Sequence, residues 1–290
     1  MIDRFTPIHD PHDPNDPRIE PYRNQKDAWL KAAHNPDATG QPAKESLFIS
    51  EGSLVLEHHI NSIYPLHSVL IAESKLDAHA DLLSRVPDDV PIYTAARSIL
   101  DQITGYPIHR GLLACGRRLP NPDFTQLIGS SRALVILEDL SNHDNLGSVF
   151  RSVAALCGTG VSVLLSPRCC DPLYRKALRV SMGHALTVPF AYLPPERNWP
   201  SIVTTLSDAG FSTLAMTPAP DALDIDQYIQ NQPSAQKNAI FLGAEGPGLT
   251  RDALDSSDFR VKIPLASSAD SLNISVAAAV ALHRLVLPQG

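Results

Sequence analysis

The sequence predicts an α/β protein with a mainly parallel sheet in its carboxy-terminal part and a smaller α/β unit ahead of it. Over 130–290, apolar runs at 133–137, 161–165, 187–192, 213–216, 239–242 and 259–263 alternate with stretches of helical periodicity. Such alternation implies parallel strands whose crossovers cover both faces of a sheet. Over 46–118, runs at 47–49, 68–71 and 111–115 read as short strands, the first two followed by helical stretches at 53–59 and 78–83. A chain of 290 residues suits one large domain or two ordinary ones, at roughly 100–200 residues each.

Four segments follow in order. Residues 1–45 form an amino-terminal arm, expected to be extended where Pro7, Pro11, Pro14, Pro17 and Pro21 recur, because each ring removes a donor and disfavours helix before it. A helix is expected over 22–33 and a loop over 36–42. Residues 46–118 make the small α/β unit, 119–129 a polar, proline-marked linker, and 130–290 the larger domain.

Composition excludes several classes. The chain is 43% hydrophobic and 19% charged, and no apolar run reaches the roughly 20 residues of a membrane helix. Its first residues lack the layout of a signal peptide, so the expectation is a soluble, cytoplasmic protein. Cys115, Cys157, Cys169 and Cys170 form no paired C-x-x-C spacing, which points to reduced thiols and no metal. A net charge of -7 argues against unspecific coating of nucleic acid but leaves room for local basic patches. Arg168, Arg175, Lys176 and Arg179 form one such cluster. By itself it reads equally as a solvated helix face or a phosphate-contacting patch.

Three loops carry chemistry. After the run at 133–137 comes Glu138-Asp139-Leu140-Ser141-Asn142-His143-Asp144-Asn145-Leu146-Gly147-Ser148-Val149-Phe150-Arg151. A helix is expected here with Asn145 as its cap and Arg151 at the margin of the apolar stripe. The second is Leu242-Gly243-Ala244-Glu245-Gly246-Pro247-Gly248-Leu249, a turn whose glycines permit close approach to a ligand. It matches neither a dinucleotide fingerprint nor a P-loop. The third runs from Ile263-Pro264-Leu265 to Ser271-Leu272-Asn273-Ile274-Ser275, where Ser271 is the expected cap of a helix with Asn273 in its first turn.

In this order and spacing, the three motifs resemble those of SpoU/TrmH-type RNA ribose methyltransferases of the SPOUT superfamily. The likeness is sharp over 130–290. Phe48-Ile49-Ser50-Glu51-Gly52 also resembles the start of the ribosomal-protein-like substrate-binding module of such enzymes. The resemblance implies a deep carboxy-terminal trefoil knot, a homodimer, and S-adenosylmethionine (AdoMet) as cofactor, held by Gly243, Ile263, Leu272 and Thr217. The implied reaction is methyl transfer to a ribose 2′-hydroxyl of structured rRNA or tRNA, with Arg151, Asn145, Glu245, Ser271 and Asn273 at the catalytic positions. Arg151 would clamp a phosphate, because a guanidinium keeps its proton near neutral pH. Asn145 would place Arg151 and the ribose, Glu245 would hold the glycine loop, and Ser271 and Asn273 would organise the site near the hydroxyl. Arg168, Arg175, Lys176 and Arg179 would then contact RNA, extended by Arg110, Arg117 and Arg118. The first motif departs from the family pattern, with Asn142-His143 standing where Asp-Pro is usual. The rival readings are a catalytically inactive RNA-binding homologue and a doubly wound enzyme using a nucleotide or nicotinamide cofactor; the second lacks its glycine fingerprint.

Overall fold

The computed structural model describes residues 4–11, 13, 16–23, 46–108, 110–231, 237–266 and 269–286. The helix expected over 22–33 (apart from Tyr22 and Arg23) and the loop over 36–42 lie outside them. The chain divides into two compact units, one holding Met1–Pro120 and Leu173–Thr187, the other Asn121–Pro172 and Val188–Gly290.

The first unit runs β1 (Phe5–Pro7), β2 (Leu47–Glu51), α1 (Ser53–Ile60), β3 (Leu66–Ala72), α2 (Ala80–Ser84), β4 (Ile92–Ala95), α3 (Arg97–Thr104) and β5 (Leu112–Arg117). Its sheet has the order β1-β4-β3-β5-β2, with β5 antiparallel to both neighbours. The arm adds β1 as an edge strand beside β4, a place where proline's missing N–H does no harm. It then buries Ile8, Ile19 and Tyr22 against Leu70, Leu100 and Leu113. The other face packs Leu56, Val69, Leu83 and Ile92.

The second unit opens with α4 (Phe124–Ser130), β6 (Ala133–Glu138), α5 (His143–Cys157) and β7 (Val161–Leu165). The division between the units, Pro120/Asn121, falls inside the linker expected over 119–129, but the later part of that segment is helical. Asp123 caps α4 by accepting from the Thr125 N–H, and Phe124 and Ile128, one turn apart, join the core around Leu134 and Phe241. The chain next supplies α6 (Arg175–Val180) to the first unit. It then continues in the second as β8 (Phe190–Tyr192), α7 (Trp199–Asp208), β9 (Phe211–Met216), β10 (Leu223–Asp224), α8 (Ile225–Asn231), β11 (Lys237–Gly243), α9 (Arg251–Ser256), β12 (Phe259–Lys262) and α10 (Ile274–Leu285).

The second sheet has the order β10-β12-β9-β11-β6-β7-β8, and each recorded pairing is parallel. Every residue of β6 and β7 is buried, as strands covered on both faces require. The α/β class with a mainly parallel sheet is therefore observed. The run expected at 187–192 shortens to β8, because Thr187 ends a turn donating its N–H to His184. The helical stretch expected at 78–83 splits into a 3-10 turn at Asp77–His79 followed by α2.

Candidate active site

Because the strands of the second sheet run parallel, the carboxyl ends of β6, β9, β11 and β12 share one rim, where ligands of such sheets sit. A cleft of about 380 Å³ opens there. Its walls are Met216, Thr217 and Pro218 at the exit of β9, residues 242–246 and Gly248 at the exit of β11, Ile263 and Leu265 beyond β12, and residues 271–274 with Ala277 at the start of α10. Gly243, Ile263, Leu272 and Thr217 thus line one cleft, together with Glu245, Ser271 and Asn273. Met216, Leu242 and Ile274 were missed in the sequence. The first two stand at or near strand ends, which is the signal that could have found them.

The loop after β11 folds back over its own start. A Cβ on Gly243 would stand 2.1 Å from the carbonyl carbon of Gly248 and 2.2 Å from the amide nitrogen of Leu249, so only glycine fits. The Gly248 N–H donates to the Ala244 carbonyl at 3.0 Å, and Gly246 and Gly248 adopt φ of 88° and 72°. Glu138 pins the far end. It pairs with Gly243 on the last rung between β6 and β11 and is 3% exposed. The Thr250 N–H donates to its Oε2 and the Thr250 hydroxyl to its Oε1, both at 2.7 Å, while the Trp199 indole N–H also donates to Oε1. Glu138 was missed in the sequence, although an acid closing an apolar strand was visible.

Backbone closure and Glu138 thus share in holding the loop, the role expected for Glu245. The Glu245 carboxylate ties the loop to the start of α10 by accepting from Asn273 Nδ2 at 2.6 Å, and the same nitrogen donates to Asn145 Oδ1 at 3.1 Å. Three segments far apart in sequence meet in this chain of bonds.

Both expected caps move. Asn142, not Asn145, caps α5, its Oδ1 accepting from the Asp144 N–H at 2.8 Å. The helix starts three residues earlier than expected, which puts Asn145 in its first turn. Asn145 is 6% exposed, and its Nδ2 has no partner among the described residues. A buried donor left unmatched costs about 1–3 kcal/mol, which marks it as a group a ligand can satisfy. Likewise Asn273, not Ser271, caps α10, its Oδ1 accepting from the Ser275 N–H at 2.9 Å and hydroxyl at 2.6 Å. Ser271 is exposed on the cleft wall.

Arg151 is not brought into this network. It is exposed, about 9 Å further along α5 than Asn145 by the helical rise, and its side chain makes no hydrogen bond or ion pair among the described residues. Nearer the rim, Asp139 takes a left-handed φ of 55°, a conformation that costs a non-glycine residue roughly 1 kcal/mol or more. Its N–H donates to Ser166 Oγ at 2.9 Å, and that hydroxyl donates to Asp139 Oδ1 at 2.8 Å. The Arg168 guanidinium bonds the same carboxylate and, with the Ser166 hydroxyl, holds it below the usual carboxylate range against the opposing effect of burial.

The basic cluster is not a single helix face. Arg168 belongs to the second unit, whereas Arg175, Lys176 and Arg179 lie on α6 in the first. Arg175 stacks over the Tyr106 ring at 4.8 Å and donates to its hydroxyl. Lys176 and Arg179 are exposed. Arg117 and Arg118 donate to the carbonyls of Leu66 and Leu47 at 3.0 and 2.9 Å, so they brace strands. Arg110 is exposed beside Gly52.

An uncharacterized tRNA/rRNA methyltransferase of Mycobacterium bovis is 38% identical over 276 residues, covering 95% of this chain and 91% of its own. The AdoMet-bound rRNA methyltransferase of Sinorhizobium meliloti superposes with a TM-score of 0.71 at 18% identity, covering 97% of each chain. The SpoU methyltransferase AviRb of Streptomyces viridochromogenes, in complex with AdoMet, gives 0.69 at 20% identity, covering 83% of this chain and 89% of its own. Residues 132–283, which hold all three motif loops and just over half of the sequence, match the profile described as the SpoU rRNA Methylase family, and the chain belongs to that family.

Proposed function

We propose that the protein is an AdoMet-dependent RNA methyltransferase acting on a ribose 2′-hydroxyl of structured rRNA or tRNA. The observation that carries this reading is the bonded trio of Asn145, Glu245 and Asn273 at one apolar-walled cleft. The residues present fit the cofactor. The cleft falls in the range of about 300–1,000 Å³ usual for small-molecule sites, and Ile263 and Leu272 offer apolar walls for an adenine. The backbone at Gly243 is bare of side chain, and Asn145 keeps an unmatched donor close by. Gly243, Ile263, Leu272 and Thr217 would hold AdoMet. When bound, it supplies a methyl group on a sulfonium whose departure leaves a neutral thioether needing no protonation.

The chain's own task is then alignment and handling of the hydroxyl proton. Asn145, Ser271 and Asn273 orient the ribose. Arg151, whose side chain has no partner among the described residues, clamps the neighbouring phosphate and stabilises developing negative charge on the sugar oxygen. The smaller unit, together with Arg168, Arg175, Lys176 and Arg179, contacts the RNA backbone, which is read by shape more than by base code. A trefoil knot, a cytoplasmic location and a homodimer complete the proposal. Val276, 47% exposed, is an apolar side chain on α10 that a second copy would cover.

The test is transfer of tritium from labelled AdoMet to total RNA, followed by nucleoside analysis. The expected product is a 2′-O-methylated nucleoside. Arg151→Ala is expected to abolish transfer while AdoMet affinity stays within a few fold. A base-methylated product would overturn the ribose assignment, and full activity in the variant would remove Arg151 from the reaction.

A further inference from the structure

Resting on that reading, we infer that Glu245 is the general base that takes the proton of the ribose hydroxyl. Methylation of an alcohol must shed a proton, and a guanidinium is a poor acceptor for it. Among the described residues lining the cleft, Glu245 is the one ionisable side chain; the others are apolar residues, glycines, Thr217, Ser271 and Asn273. Only one oxygen of its carboxylate is engaged in tying the loop to α10, the loop being closed besides by its own backbone and by Glu138.

Asn273 fixes how Glu245 presents itself. Because Asn273 Oδ1 is spent capping α10 on Ser275, its amide nitrogen has to face Glu245 and Asn145. Nδ2 holds Glu245 Oε1 at 2.6 Å, while Oε2 makes no hydrogen bond among the described residues. One oxygen is therefore anchored to a helix start, and the other is available to the substrate. As the bond between the methyl carbon and the ribose oxygen forms and the carbon–sulfur bond breaks, the hydroxyl proton passes to Oε2, giving a neutral carboxylic acid. Water removes that proton after the product leaves. Charge balances, because the positive sulfonium and the negative carboxylate are both neutralised.

Glu245→Gln separates this role from a structural one. The glutamine carbonyl still accepts from Asn273 but takes no proton. The expected result is a kcat lower by about 100-fold or more, the usual worth of general-base catalysis. Calorimetry with sinefungin, a non-transferable AdoMet analogue, and RNA binding by filter assay are expected to stay within threefold of wild type. Glu245→Asp is expected to recover part of the rate. A Glu245→Gln enzyme with kcat within threefold of wild type overturns the inference. Loss of sinefungin or RNA affinity in step with rate overturns it too, making Glu245 a wall residue. If the unaltered protein transfers no methyl group to ribose, the broader functional reading fails first, independently of what the variant does.

Discussion

Glu138→Gln is a sharp perturbation of the site's framework, because it changes one atom and leaves the shape. In the native chain three donors converge on the carboxylate: the Thr250 N–H and hydroxyl, and the Trp199 indole. An amide supplies one acceptor oxygen. If that oxygen keeps the Thr250 hydroxyl and the indole, the new NH2 group faces the Thr250 N–H, donor against donor, at a separation that was 2.7 Å. One hydrogen bond to a charged acceptor is lost, worth about 1.5–3 kcal/mol, and a half-buried N–H goes unmatched at a further cost on the order of 1 kcal/mol. The expected destabilisation is about 2–4 kcal/mol. Urea unfolding at neutral pH, followed by tryptophan fluorescence and far-UV dichroism, reads it as a lower midpoint at unchanged slope. Trp199→Phe removes one donor to the same charged acceptor and leaves no buried donor unmatched, so about 1.5–3 kcal/mol is expected. A Glu138→Gln protein within 0.5 kcal/mol of wild type would refute the idea that this carboxylate pins the loop.

Three further outcomes are expected. Gly243→Ala drives a methyl group into the Gly248–Leu249 backbone; the loop must move, costing about 1–3 kcal/mol and weakening AdoMet binding at least tenfold by calorimetry, and unchanged affinity would contradict the fold-back geometry. Burial pushes His59 down to about 3; with an unfolded value near 6.5, the neutral ring's contribution is whole above pH 6.5 and declines below it, by about 2 kcal/mol at pH 5. Comparing urea midpoints at pH 7.5 and 5.0 in wild type and His59→Leu checks the sign, since the variant is expected to lose that part of the acid sensitivity. Burial, with the Cys169 thiol beside it, pushes Cys170 up to about 12, so alkylation by iodoacetamide at pH 8 is expected to be far slower than for a free thiol; rapid labelling mapped to Cys170 by mass spectrometry would contradict that environment.

What the sequence disclosed was what local pattern encodes. β7 was read end to end, because Val-Ser-Val-Leu-Leu, four apolar residues of five between Gly160 and Ser166, has little choice of boundary. The cleft residues Gly243, Ile263 and Leu272 were legible through the motifs, and Thr217, outside them, through the family resemblance. Caps were not, because asparagine and serine lie close together near each helix start and the backbone direction decides which side chain meets the first free N–H. Asn142 won over Asn145, and Asn273 over Ser271. β1 has no local signal, since its three residues are strand only by lying against Ile92, Tyr93 and Thr94. β4 escaped for the same reason, being four residues squeezed between Pro91 and α3. The bonds from Glu138 to Thr250 and from Asn273 to Asn145 span more than a hundred residues, beyond the reach of any window.

The segment Leu173–Thr187 bears on how the protein is made. It is synthesised after β6 and β7 yet belongs with the amino-terminal sheet, where His184 lies 4.4 Å from the His58 ring and Gly183 sits against the same side chain. An emerging polypeptide therefore cannot finish its first globule until residue 187 has left the ribosome. By then two inner strands of the second globule, β6 and β7, are already available. Assembly of the two halves is interleaved in time, and cutting the chain at residue 120 would remove a piece of the earlier half along with the later one.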